Sequence, residues 1–126
     1  MRLLLDTQVV LWQLSGESTL SRSALSAIDA ADDLLFSAVS FAEVGIKSAI
    51  GKLKVPPTLR QNVSEAGLRT LNLTAEHGLA VADLPLHHRD PFDRLLIAQT
   101  VVEHLTIVTS DRMFLRYGIP VIDAAS

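Results

Sequence analysis

The chain contains no cysteine. That absence excludes a disulfide framework and any thiolate metal site, so a bound metal would have to be held mainly by oxygen. The four histidines, His77, His87, His88 and His104, lack the spacing of a structural zinc site. Long apolar runs are also missing. None approaches the roughly 18 residues that a membrane-spanning helix needs, and no charged-then-apolar leader with a small-residue cleavage site opens the chain. A soluble, cytoplasmic protein is expected, with no membrane partner. No stretch rich in Pro, Gly or Ser offers a linker, and there is no internal repeat or low-complexity segment. Residues 1–126, of which 48% are apolar, are therefore expected to form one domain around one core. Positive charge is scarce as well. A formal net charge of −3 argues against gripping nucleic acid through bulk potential. Cations bound locally would offset or reverse that charge, so a nucleic-acid substrate is permitted, although composition does not predict one.

What is present is an alternation of short buried strands with amphipathic helices, the pattern of an α/β domain with a mainly parallel sheet. Leu3 to Leu5 reads as the first strand. A helix from about Thr7 to Leu14 ends near Gly16, and a second spans about Ser21 to Ala31 with Ala24, Leu25 and Ile28 on one face. Leu34 to Ser37 reads as a strand, and Ser40 as the start of a helix that carries Val44 and Ile46 and stops near Gly51. After Pro56-Pro57 come a helix of about ten residues, a weak strand at Thr70 to Leu73, and a helix capped by Thr74 that runs through Val81. Pro91 launches a helix from Phe92 to about His104, whose Leu95, Leu96, Ile97, Ala98, Val101 and Val102 imply burial. Strands at Ile107-Val108 and Val121-Ile122 complete the count.

Four acids fall at strand ends or helix starts within this pattern: Asp6, Glu43, Asp93 and Asp111. In open α/β sheets ligands bind beyond the carboxyl ends of the strands, where strand order reverses, so these four can converge although they are far apart in sequence. Each also has a plainer reading. Glu43 completes Ser40-x-x-Glu43, the pattern of a capping box. Asp93 sits in a first helical turn, where the macrodipole favours a carboxylate, with Asp90 as a natural N-cap before Pro91. Asp111 suits the N-cap of a short helix through Phe114 and Leu115. Asp6 is hardest to explain this way, because an acid closing a wholly apolar strand is costly unless paired or bound to a metal.

Taken together, the four describe an oxygen-only ligand set suited to Mg²⁺ or Mn²⁺, since clustered carboxylates raise one another's pKa until a cation relieves them. A cation there would activate water and neutralise charge developing on a phosphoryl oxygen, and phosphodiester hydrolysis is the natural chemistry. Thr7 and Ser110, each next to an acid, could orient water or a ligand, or serve as turn and cap groups. Arg112 could hold a phosphate, or be a solvated surface charge. For Val9, Val10, Leu11 and Trp12, ordinary core is the better reading, with an interaction patch as the alternative.

These residues resemble the PIN-domain ribonucleases, specifically the toxin half of VapBC-type toxin-antitoxin pairs. Leu3-Leu4-Leu5-Asp6-Thr7 with Leu11-Trp12 is similar to the family's opening, Ser40-Phe41-Ala42-Glu43-Val44 to its second acid segment, and Ile107-Val108-Thr109-Ser110-Asp111 to its last. The most specific stretch runs from His87-His88-Arg89-Asp90-Pro91-Phe92-Asp93 to Gln99. The resemblance implies a PIN-like three-layer α/β/α sandwich. It also implies RNA cleavage dependent on Mg²⁺ or Mn²⁺, with Asp6, Glu43, Asp93 and Asp111 as metal-binding and catalytic acids and Asp6 and Asp93 foremost among the ligands. A homodimer and a silencing antitoxin partner are implied too. Gln8 departs from the histidine found in many members, which bears on substrate preference. Two other folds place an aspartate after a first strand, but a haloacid-dehalogenase-type phosphatase needs a second aspartate where Gln8 stands. A receiver domain needs adjacent early acids and a late lysine. The remaining rival is a catalytically idle PIN-like binding module, against which the presence of all four acids argues.

Overall fold

The computed structural model describes residues 1–16 and 20–125. Its elements follow one another as β1 (Arg2–Leu5), α1 (Thr7–Ser15), α2 (Arg22–Ala30), β2 (Asp33–Ser37), α3 (Ala38–Ala49), α4 (Leu59–Glu65), β3 (Arg69–Leu71), α5 (Ala75–Ala80), a 3-10 turn (Val81–Asp83), α6 (Pro91–Val102), β4 (Thr106–Thr109), a 3-10 helix (Arg112–Tyr117) and β5 (Val121–Asp123). The five strands pair in the order β3-β2-β1-β4-β5, and every pairing is parallel. The expected mainly parallel sheet is thus parallel throughout its described strands.

Successive side chains on a strand point to opposite faces, and this divides the core. Leu3 and Leu5 of β1, Phe36 of β2 and Val108 of β4 join a cluster with Val9 and Val10 of α1, Ala24 of α2 and Val63 of α4. Leu4, Leu35 and Ile107 face the other way and pack with Leu96 and Ile97 of α6 and with Phe114. Helices cover both faces, which gives the three-layer α/β/α sandwich. Parallel strands whose two faces are both covered must be apolar at nearly every position, and that accounts for the unbroken Leu3-Leu4-Leu5.

Strand order reverses between β1 and β4. β2 and β3 extend the sheet on one side of β1, whereas β4 and β5 extend it on the other. Helices joining parallel strands run back against them, so α1 and α3 start at the carboxyl edge of the sheet, as does α6, which leads into β4. Local signals fix these starts. Ser37 ends β2 and caps α3, accepting from Val39 N–H at 2.9 Å. Asp90 caps α6 with Pro91 at its first position. At the far end of α1, Gly16 takes φ 71°, a left-handed C-cap that glycine adopts without a Cβ penalty.

Several elements differ from the sequence reading. α3 begins at Ala38, two residues earlier than expected, because the serine that caps it is Ser37 and not Ser40. α4 has seven residues where about ten were expected, and the helix after Thr74 ends at Ala80, with Val81 opening the 3-10 turn. Leu25, expected on one face with Ala24 and Ile28, is 45% exposed, and Val101, expected in a buried helix, is 47% exposed. The apolar pattern identified these helices correctly but placed the edges of their buried stripes too wide.

Candidate active site

Asp6 directly follows β1 and occupies the N-cap position of α1, yet its side chain makes no capping bond. The carboxylate is only 8% exposed and accepts a hydrogen bond from Thr109 Oγ1 at 2.8 Å. Burial pushes its carboxyl up to about 6. The Thr109 hydroxyl and the Thr7 backbone N–H pull the other way, and the charges of Glu43 and Asp111 add to the rise. Thr109, the last residue of β4, also accepts from Asp111 N–H at 3.1 Å. One buried hydroxyl therefore links the acid after β1 to the acid after β4.

Glu43 lies in the second turn of α3 and is buried. The capping box that was the plainer reading of Ser40-x-x-Glu43 does not form. Ser40 is inside the helix, fully buried, and its Oγ accepts from Thr7 Oγ1 at 2.6 Å. Glu43 instead accepts from Lys47 Nζ at 2.5 Å, one helical turn further on. That bond is the main cause holding the Lys47 ammonium charged, with Asp90 and Asp93 adding to it. Lys47 is thus an internal counter-charge set among the acids.

Asp93 is in the first turn of α6, where its N–H donates to the Asp90 carboxylate at 3.0 Å. Its own carboxyl is pushed up to about 7, chiefly by burial and then by the charges of Asp90, Asp6, Asp111 and Glu43. His88 Nε2 stands 3.3 Å from Asp93 Oδ2, and His88 Nδ1 stands 2.7 Å from the Tyr117 hydroxyl. Arg94 donates to that same hydroxyl oxygen at 3.1 Å. His88 thus bridges the Tyr117 hydroxyl and the Asp93 carboxyl. Asp111 caps the 3-10 helix as expected, accepting from Met113 N–H at 2.9 Å, and is exposed.

All four acids line one cleft of about 380 Å³, together with Asp90, Lys47 and Lys52. The cleft opens at the carboxyl ends of β1 and β4, where the strand order reverses. Thr7 and Ser110 reach its lining, but the Thr7 hydroxyl is spent on Ser40 and so ties α1 to α3. Arg112 is exposed and does not line the cleft; the basic groups there are Lys47 and Lys52. Sequence reasoning missed Lys47, although its four-residue spacing from Glu43 is that of a helical ion pair. Thr109 and His88 carried no sequence signal of their own, because both act across the fold. Fully buried His77 serves structure: it completes the cap of α5 with Thr74 and meets Glu103 at 2.7 Å.

The donors suit a hard divalent cation. They are carboxylate oxygens without competing thiolates, and the carboxyls of Asp6 and Asp93 are raised chiefly by burial and further by neighbouring negative charge, both of which a bound cation would offset. Among the described residues, no three Asp, Glu or His side chains already form a closed cage. Glu43 is held by Lys47, Asp93 by His88 and Asp111 by its cap, so binding would involve turning one or more of these side chains inward.

Fold and cleft together define an α/β domain with a carboxylate site at its topological switch point. The chain belongs to the PIN-domain family, whose pattern it matches over residues 3–120. It is 32% identical over 117 residues to Ribonuclease VapC22 of Mycobacterium tuberculosis, covering 86% of each protein. Among solved structures it is similar to a chain of VapBC2 from Rickettsia felis, crystallised with a DNA fragment from its promoter, at a TM-score of 0.75 and 15% identity over 98% of this chain and 99% of that one. It is similar also to a chain of DNA-bound VapBC from Salmonella typhimurium, at a TM-score of 0.71 and 16% identity over 98% of each. At those identities the likeness establishes the fold.

Proposed function

We propose that this chain is a ribonuclease and the toxin of a VapBC-type pair, hydrolysing phosphodiester bonds of RNA at the cleft lined by Asp6, Glu43, Asp93 and Asp111. The observation that carries the reading is the convergence of all four acids on one cleft at the switch point, in a chain 32% identical to a named ribonuclease. Asp6 and Asp93, the two acids with raised carboxyls, would hold Mg²⁺ or Mn²⁺, with Glu43 and Asp111 completing the oxygen set. When bound, such a cation activates water for attack and neutralises charge on the phosphoryl oxygens.

The chain's own residues do the rest. Thr109 fixes the Asp6 carboxylate against β4, the Asp90 cap fixes the start of α6 beneath Asp93, and Lys47 supplies a positive charge that a phosphate can share. Ser110 reaches the lining where a water or phosphate oxygen would sit. An antitoxin partner follows from the VapBC assemblies the fold resembles, and a homodimer and a cytoplasmic location from the family. No helix among the described residues is long and apolar enough to cross a membrane. The idle-module alternative leaves the crowded charges of Asp6 and Asp93 without a purpose.

Incubating purified, antitoxin-free protein with a structured-RNA pool tests the reading. Cuts at a few sites that require Mg²⁺ or Mn²⁺, stop with EDTA and vanish in Asp93→Asn are expected. A folded protein that leaves all RNA intact under these conditions would point to the idle module.

A further inference from the structure

Beside the acid cleft lies a second hollow of about 300 Å³. Its walls include Trp12 and Leu11 from α1 and Lys54, Val55 and Leu59 from the opposite side. Gln8, Leu11 and Leu53 line both hollows, so the two adjoin. The sequence reading left Val9 to Trp12 as ordinary core, and the structure divides them. Val9 and Val10 are buried in the core, whereas Leu11 and Trp12 are half-buried and turn one face to the hollow.

The chain has one tryptophan, and it stands where the ribonuclease reading needs a partner for substrate. Gln8, Leu11, Trp12 and Ser15 share one face of α1 through their three- and four-residue spacing. Trp12 lies six positions beyond Asp6, roughly 9 Å along the helix, a reach suited to the nucleotide next to a phosphate held at Asp6. Across the hollow, exposed Lys52 and Lys54 alternate with half-buried Leu53 and Val55. Lys52 lines the acid cleft and Lys54 the tryptophan hollow. Two extended residues span about 7 Å, so the lysines can serve successive phosphates of one strand.

We propose that the Trp12 hollow is a base-binding subsite. An unpaired base of single-stranded RNA, next to the scissile phosphate, stacks on the indole while Lys52 and Lys54 carry flanking phosphates. A flat aromatic face takes any base and demands that it be unstacked from its neighbours. The carboxamide of exposed Gln8, which lines both hollows, is placed to meet the edge of that base. Charge favours RNA over an apolar peptide as occupant, since lysines flank the hollow and, among the described residues, no acid lines it. The inference rests on the ribonuclease reading and adds to it the place in the fold, the Trp12 face of α1, where the base next to the scissile phosphate is held.

The test uses the full chain carrying Asp93→Asn to prevent turnover, with a labelled single-stranded oligoribonucleotide and an abasic oligomer of equal length and charge. Emission from the lone tryptophan should fall as the oligoribonucleotide binds and stay unchanged with the abasic one. Adding Trp12→Leu should weaken binding of the oligoribonucleotide about ten- to a hundred-fold, the loss of one base–aromatic stack, and leave the abasic oligomer unaffected. Trp12→Phe should restore most of the affinity and also guards against a leucine variant that folds poorly. Lys54→Gln should lower the salt dependence of binding by roughly one phosphate contact. Equal affinity in Trp12→Leu, with indole emission indifferent to RNA, overturns the subsite, and so does an indole that answers only to a protein partner. If the parent chain still cuts RNA, only the subsite falls. If it neither cuts nor binds RNA, the ribonuclease reading falls with it.

Discussion

Thr109 holds Asp6 across the switch point of the sheet, its hydroxyl donating to Asp6 Oδ2 at 2.8 Å while accepting from Asp111 N–H at 3.1 Å. The bond is buried and favours the ionised form of Asp6, the form a cation would bind. Thr109→Val keeps shape and removes both hydrogen bonds. It is expected to weaken Mn²⁺ binding by roughly tenfold or more and to cost about 1–2 kcal/mol of stability. Calorimetric titration with Mn²⁺ and urea unfolding read the two effects separately. Parent-like Mn²⁺ affinity in the variant would detach Thr109 from the site.

Carboxyls pushed upward by burial and repulsion make the metal-free fold sensitive to pH. The unfolded chain releases the Asp6 and Asp93 protons near 3.8, whereas the folded chain holds them to about 6 and about 7. Folded protein therefore binds the extra protons, and the stability this lends is present at low pH and lost as pH rises through the folded values. Metal-free protein should be less stable at pH 7.5 than at pH 5 by on the order of 2–4 kcal/mol. Millimolar Mn²⁺ should restore stability at pH 7.5 and do little at pH 5, where protons compete for the same oxygens. Thermal melts across that grid check it, and a flat metal-free profile would contradict the assignment.

The same crowding predicts an opposition between stability and activity. Asp6→Asn removes a buried charge at nearly constant volume and keeps an acceptor for Thr109. Metal-free Asp6→Asn is expected to be more stable than the parent at pH 7.5 by roughly 1–3 kcal/mol, to gain nothing from Mn²⁺ and to lose RNA cleavage. Asp93→Asn should behave alike. A destabilised variant that retains cleavage would mean that these acids are structural.

Two serines three positions apart separate the capping role from the packing role. Ser37 caps α3 and donates to Gln99 Oε1 at 2.6 Å, so Ser37→Ala should cost about 2 kcal/mol, a cap together with a buried acceptor left alone. Ser40→Ala loses only the Thr7 contact and should cost about 1 kcal/mol. Urea denaturation of the pair orders them. If Ser40→Ala proves the costlier, Ser40 and not Ser37 is the group that secures α3.

How much of this was legible beforehand depends on where each cause lies. Asp90, Pro91 and Asp93 were readable because capping and proline preference act within one helical turn. Asp111 was readable as a cap for the same reason. Ser40 misled because Ser-x-x-Glu is a local pattern, while the cap of α3 is supplied by Ser37, three residues earlier, with no glutamate partner. The Lys47 partner of Glu43 was within reach of the helical spacing rule and went unread.

By itself the sequence determined the alternation of elements, the two-faced burial of Leu3-Leu4-Leu5, and the placing of Asp6, Asp93 and Asp111 at strand ends or helix starts, whereas Glu43 falls a turn deeper in α3 than the sequence suggested. Those follow from side-chain period and local hydrogen bonding, which act over a few residues. Tertiary structure alone decided that β4 pairs with β1, and so that Asp111 and Thr109 lie beside Asp6. It alone set His88 on Asp93 through Tyr117, excluded Arg112 from the cleft and opened the Trp12 hollow against Lys54. Strand order and long-range contact are settled by packing whole layers together, and no local rule of spacing encodes them.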